Sequence, residues 1–522
     1  IGKLEEEETR LSMVYPLIPE NPRKGETVFA YARISFDEKL NRYVYEVVEP
    51  KLPRNLRLLL YKLKELIEER LDVDFTKLRK EDAKKYLYRQ VEDLLDSLGI
   101  KLGETEKKVL FYYIDRDFIG LGKIEPLMHD PGIEDISCDG VNIPVFVFHR
   151  DPRLGSLITN IKYDTEEELE AFITRLAQLC GKTISVMNPI LDGSLPDGSR
   201  VQATLATDIA RRGSNFTIRK FTTKPLTPTH FIDWGTLDEK ILAYLWFALD
   251  YGSSIIVSGG TATGKTSLLN VLSLFIRPEN KIVSIEDTPE LRLPHPHWVP
   301  HVARTPISTG KPGDIDMFTL LKESLRQRPD YIIVGEVRGR EAYVLFQQMA
   351  TGHPSLATIH AEDFEKLTQR LITPPIELPP SLLQALDIVI FMTNARYRGK
   401  FVRRVREIIE IKGFDIEKNR PITNKLFEWN PYTDKFEIKS KSYVLKKIAK
   451  KFGFSERQIK EELERRMLVV RWIYEQGLTE YEDVAKVINA YYRDPERVIG
   501  AIMGEFLSLI HISEPTRPRL IS

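Results

Sequence analysis

The spacing of apolar and polar positions changes character along the chain. Thr27–Ala32 and Tyr43–Val48 alternate and predict strands of a small, partly exposed sheet. From Asn55 to about Arg70 leucines recur at helical spacing (Leu56, Leu59, Leu60, Leu63, Leu66), and Lys84 to Leu98 repeats the pattern. The Leu56 face is expected to be an ordinary buried helix face rather than a docking surface. Ile133–Ser137 and Val145–Phe148 read as strands, and Glu166–Leu179 as a helix. A turn-rich stretch, Pro189–Arg200, leads into Val201–Thr204, and Asn215–Phe221 is a strand that ends in basic residues. From Phe231 to about Asn430 strand runs alternate with helical ones, the signature of an α/β domain with a largely parallel sheet. Its strands are predicted at Ile255–Val257, Ile282–Ile285, Tyr331–Val334 and Leu356–Ile359. Beyond Lys435 the pattern turns helical and strongly charged.

These changes suggest an accessory domain over residues 1–103, a second domain over 104–224, the α/β domain over 225–434 and a small helical domain over 435–506. The prolines of Lys224–Thr229 mark a linker, because each disfavours helix before it. Pro294, Pro296, Pro300, Pro306 and Pro312 mark a long excursion after the second α/β strand, and such loops tend to be functional. Residues 507–522 depart in composition, resemble translated vector sequence and are left out of the fold argument.

Composition narrows the class without naming it. At 522 residues the chain exceeds one ordinary domain, and 42% hydrophobic with 29% charged residues fits a globular protein. Lys+Arg and Asp+Glu both number 76, so no overall basic field argues for nucleic acid. The two cysteines, Cys138 and Cys180, support neither a disulfide framework nor a four-cysteine zinc element. No apolar run approaches the roughly 18 residues of a membrane span, and the acidic start is unlike a secretory signal. A cytoplasmic location, with membrane contact only through partners, is the expectation.

The chemistry is concentrated at Gly259-Gly260-Thr261-Ala262-Thr263-Gly264-Lys265-Thr266, between the strand run Ser254–Ser258 and the helical run that starts at Ser267. Glycines let backbone N–H groups and a helix N-terminus close round phosphates. Lys265 supplies a mobile charge for the β- and γ-phosphates, and the Thr266 hydroxyl is a Mg²⁺ ligand candidate. Bound nucleoside triphosphate, ATP with Mg²⁺, is the expectation. Ligands in open parallel sheets sit beyond the strands' carboxyl ends. There the second strand ends in Glu286-Asp287, the third in Gly335-Glu336 and the fourth in His360. If these strands are parallel neighbours, the three side chains converge on the phosphates. Glu336 is the candidate for the metal shell and Glu286 for polarising the attacking water, with the order left open. His360 is a candidate γ-phosphate sensor. Arg200 and Arg219, outside the α/β domain, are candidates for stabilising transition-state charge from a neighbouring domain or subunit. Arg326 and Arg328 are interface candidates, and His295, His297 and His301 read as an ordinary proline-rich loop rather than a metal site.

These boxes resemble, in order, those of the type II/type IV secretion ATPase superfamily, GspE- and PilT-like motors. Residues 259–266 look like its Walker A and Ile285–Leu291 like its Asp box; Arg328–Arg338 looks like its Walker B and Thr351–Ala361 like its His box. The resemblance spans roughly residues 105–430. It implies a RecA-like ATPase domain preceded by a PAS-like domain, a ring that is usually a homo-hexamer, and a polytopic membrane platform as partner. It also implies nucleotide held between the two domains and read by arginines at Arg200 and Arg219. Tyr15–Pro19 and Val48–Pro50 look like the archaeal branch of pilus and archaellum motors. A RecA-like nucleic-acid motor and a nucleotide-gated assembly factor with negligible turnover are the competing readings.

Overall fold

The structure, a computed structural model, describes residues 11–70, 80–206, 210–221, 224–304 and 315–513. The acidic start, Pro306, Pro312 and the last part of the 507–522 tail lie outside the described residues. The chain divides into two compact units, Ile1–Thr222 and Thr223–Ser522.

The first unit is built on β1 (Met13–Ile18), β2 (Ala30–Asp37), β3 (Arg42–Val48), β4 (Ile133–Cys138), β5 (Pro144–His149), β6 (Ser156–Lys162), β7 (Ile190–Ser194), β8 (Arg200–Thr204) and β9 (Asn215–Arg219). They form one sheet in the order β1-β2-β3-β6-β5-β4-β9-β8-β7. The β3–β6 pairing carries this sheet across residue 103, where the sequence pattern suggested a boundary. One apolar core runs from Leu17 through Leu63, Leu110 and Ile136 to Ile218. Leu56, Leu60 and Leu63 on the helix Arg54–Arg70 are buried in it, as an amphipathic face requires.

The second unit holds β10 (Ile255–Gly259), β11 (Ile282–Glu286), β12 (Trp298–Val302), β13 (Tyr331–Val337), β14 (Ser355–Ile359), β15 (Ile388–Tyr397), β16 (Lys400–Asp415), β17 (Arg420–Asn430) and β18 (Lys435–Ile438). Their order is β12-β11-β13-β14-β10-β15-β16-β17-β18. From β12 to β15 every pairing is parallel. The inner strands β11, β13, β14 and β10 are buried almost end to end, without alternation, because helices cover both faces. Ile255 and Val257 pack into one core with Leu268 and Leu269, whereas Ile256, Ala357 and Phe391 pack into the other with Phe346 and Leu367. The sheet is largely parallel, as expected, and β16, β17 and β18 extend it in antiparallel pairing from β15. The long hairpins there lack the helical interludes that a parallel return requires. The strand β12 lies within the proline-rich excursion, and its one proline, Pro300, is admitted because the strand is at the sheet edge.

The charged C-terminal helices are bound to this α/β core rather than separated from it. The helix Glu456–Glu475 buries Arg466, whose Nη2 donates to Asp250 Oδ2 at 2.7 Å while its Nε donates to Glu462 Oε1 at 3.1 Å. Its guanidinium lies 5.1 Å from the Trp246 ring centroid and 5.2 Å from that of Phe247. Arg277 Nε donates to the other Asp250 oxygen at 2.6 Å. The last helix, Pro495–Ser513, continues past residue 507, where the composition changes. Removing the buried cation leaves Asp250 with Arg277 alone. Arg466→Ala is expected to cost about 3 kcal/mol and to lower the melting temperature of the whole second unit. A melting curve matching wild type, or one in which only the C-terminal helices melt early, contradicts this anchoring.

Candidate functional site

The phosphate loop leaves β10 at Gly259 and ends where the helix Lys265–Ser273 begins. Gly259 is required by contact, since a Cβ there would lie 2.6 Å from the Met392 carbonyl oxygen on the adjacent β15. Gly264 is required by conformation, because as the N-cap it has φ 87°. Inside the loop Thr263 Oγ1 donates to Gly260 O at 2.9 Å, and Asn394 Nδ2 of β15 reaches Thr261 O and Ala262 O at 3.3 and 3.4 Å. Lys265 Nζ donates to Gly260 O at 2.7 Å, folded over the loop that its charge is expected to fill with phosphate. Thr266 and Ser267 are half-buried on the first helical turn. Both the helix dipole and Lys265 favour an anion here.

Parallel pairing brings the other candidates to the same edge. The neighbours β11, β13, β14 and β10 run in one direction, so Glu286, Glu336, His360 and the phosphate loop all stand at their carboxyl ends. Burial pushes the Glu336 carboxyl up, but the Arg338 hydrogen bond and charge, then the charges of Lys265 and His360, more than offset it. Its pKa therefore falls below the usual glutamate range. Glu286 is different. It is 2% exposed, and burial pushes its pKa up to about 7 although its Oε1 accepts the backbone N–H groups of Glu290 and Leu291 at 2.9 and 3.0 Å.

The sequence assigns Arg338 no role of its own and marks Asp287 only as a strand end, but the structure joins them. Arg338 Nη2 donates to Glu336 Oε2 at 2.6 Å and its Nη1 to Asp287 Oδ2 at 2.8 Å, bridging the ends of β13 and β11. Arg338 follows Glu336 by two residues and Asp287 follows Glu286 directly, but only the β11–β13 pairing makes them neighbours. The donor set suits a hard cation: the Thr266 hydroxyl and a carboxylate held ionised at Glu336 are oxygen ligands of the kind Mg²⁺ takes.

Arg200 and Arg219 belong to the first unit and the phosphate loop to the second. They are cross-strand partners in the β8–β9 register, both exposed, with Arg219 Nη2 3.7 Å from Glu134. Arg326 lies in the turn Leu325–Gln327, where its Nη1 is 3.4 Å from Glu323 Oε2. His295 Nε2 bonds Ile276 O at 2.8 Å.

The type II/IV secretion system protein family model matches residues 122–395, and a PilB3-like C-terminal family model matches residues 432–505. The chain belongs to the type II/IV secretion system protein family. An uncharacterized protein of Methanocaldococcus jannaschii, MJ0900, is 42% identical over 397 residues, 75% of this chain and 71% of the relative. The probable conjugal transfer protein TrbB of Sinorhizobium fredii is 31% identical over 272 residues, 50% of this chain and 79% of the relative. Among solved structures, the VirB11 ATPase from the Brucella suis type IV secretion system is similar at 26% identity, covering 55% of this chain and 92% of that one with a TM-score of 0.29. The pilus retraction motor PilT with bound ADP is similar at 17% identity, covering 68% and 93% with a TM-score of 0.37. At those scores neither likeness adds to the family assignment.

The Glu286 shift has a defined sign. A carboxyl with a folded pKa near 7 and an ordinary value of 4.5 binds more protons folded than unfolded between those limits, so stability falls as pH rises through that window. Glu286→Gln removes the dependence. Relative to wild type it is expected to gain about 2 kcal/mol of unfolding free energy between pH 5 and pH 8. Parallel pH profiles in chemical denaturation contradict a buried, proton-holding Glu286.

Proposed function

We propose that this chain is an ATP-hydrolysing ring motor that powers type II secretion or type IV pilus-like assembly through a membrane platform. The observation that carries the proposal is the strand edge of the second unit. A phosphate loop, a carboxylate held ionised and a carboxyl poised near neutrality stand side by side there, in a chain of the secretion family. On this reading the second unit is a RecA-like ATPase domain with the matched C-terminal helices packed on it, and residues 104–224 form a PAS-like partner within the first sheet. The ring is a homo-hexamer of the archaeal branch, cytoplasmic and peripheral to the membrane. No described helix is long and apolar enough to cross a membrane.

The residues divide the work. Backbone N–H groups of residues 260–266 and the Lys265 charge hold the β- and γ-phosphates, and the Thr266 hydroxyl and Glu336 would hold Mg²⁺. When bound, that ion neutralises charge shared by the β- and γ-oxygens. Glu286, with a pKa of about 7, is suited to orient the attacking water and accept its proton at neutral pH. His360, beside Glu336, is suited to bond a γ-phosphate oxygen and report its loss. Arg200 and Arg219 stand directly opposite in the β8–β9 register, both exposed. Their proposed role is to meet the nucleotide from the other unit or a neighbouring subunit, so that hydrolysis depends on closure.

Steady-state phosphate release tests this. Lys265→Ala and Glu336→Gln are each expected to lower kcat/KM at least about a hundredfold, whereas Arg200→Ala and Arg219→Ala are expected to lower kcat more than they raise KM. Wild-type rates in Lys265→Ala and Glu336→Gln contradict the proposed activity. Stoichiometric ATP binding without phosphate release, with a membrane fraction present, selects a gated assembly factor instead.

A further inference from the structure

The strands that carry Glu336 and His360 lie on one side of β10, and β15 lies on the other. A triphosphate whose terminal phosphate faces Glu336 and His360 must direct its sugar and base away from them. That direction is the hairpin of β15 and β16, which rises past the carboxyl edge of the parallel sheet beyond Met392, the register partner of Gly259.

One face of this hairpin bears residues suited to that end of a nucleotide. In the antiparallel register Asn394 opposes Arg403 and Arg396 opposes Phe401, so all four side chains share a face. The face is the one turned to the phosphate helix. The Met392 methyl and the Arg403 Cδ lie 3.7 and 3.8 Å from the position a Cβ on Gly264 would take, and Asn394 reaches the loop carbonyls. Arg403 is buried at 7% exposure, which places a guanidinium beside a helix N-terminus. One step further out Phe401 is 53% exposed, with the Arg396 guanidinium 4.7 Å from its ring centroid. Two residues along a strand advance about 7 Å, on the order of the separation between an α-phosphate and its base. Aromatic rings and guanidinium planes both take stacked bases.

We propose that this hairpin face is the sugar–base subsite, with Arg403 beside the α-phosphate and Phe401 stacking on the base. The inference rests on the nucleotide-hydrolase reading of the phosphate loop. Stacking tolerates any base, so adenine and guanine nucleotides are expected to bind within a few-fold of each other.

The test is titration of the full chain, with Mg²⁺, against ATP and against inorganic tripolyphosphate, which has the phosphates and no base. Phe401→Ala is expected to weaken ATP about tenfold relative to tripolyphosphate, and Phe401→Tyr to restore the wild-type ratio. An unchanged ratio in Phe401→Ala, or equal loss for both ligands, overturns the subsite and leaves the phosphate loop standing. Wild-type protein that binds neither ligand overturns the nucleotide reading, and the subsite with it.

Discussion

The backbone contact between β10 and β15 at Gly259 governs the rest of the second unit's carboxyl edge. With no side chain at 259, the chain turns against the Met392 carbonyl, and with a left-handed residue at 264 it enters the phosphate helix at once. A methyl group at the first position would push the loop off β15. The loop would then lose the Asn394 contacts and the helix start that set Lys265 where it is. Parallel pairing of β10 with β14, and through it with β13 and β11, then fixes which side chains share the edge. A one-residue slip in any of these strands would turn its terminal side chain to the other face.

Two glutamates end neighbouring strands yet have opposite environments. Glu286 is packed away from water and holds its proton towards neutrality, whereas Glu336 is half-buried and kept ionised by Arg338, Lys265 and His360. Pairs of carboxyls whose surroundings push their pKa values apart commonly divide acid–base and electrostatic work. This contrast favours Glu336 for the metal and Glu286 for the water, an order that sequence alone left open. The Arg338 bridge between Glu336 and Asp287 adds a constraint, since Glu336 cannot give all of its charge to a metal without loosening that pair.

Much of this edge was legible in the sequence because the signals are local. A glycine-rich turn between an apolar run and a helix needs no tertiary information, and neither does a polar residue that closes a buried strand. Helix bounds such as Glu166–Leu179 agree for the same reason. What escaped depends on pairing across long separations. The union of β3 with β6, the antiparallel extension of the second sheet and the Asp287–Arg338 bridge each join segments whose own patterns are silent about their partners. Arg466 reads as one more charge in a helix rich in charges, and only the fold puts it among Trp246, Phe247 and Asp250.

On this reading the phosphate loop and the ends of β11, β13 and β14 make one nucleotide-hydrolysing site. The most direct measurement is a structure of the assembled protein with Mg²⁺ and a hydrolysis-resistant ATP analogue. The expected result is phosphates inside residues 259–266, the ion ligated by the Thr266 hydroxyl and held directly or through water by Glu336, and the γ-phosphate facing Glu286 and His360. Phosphates bound outside the loop, or a γ-phosphate turned away from both carboxylates, would contradict it.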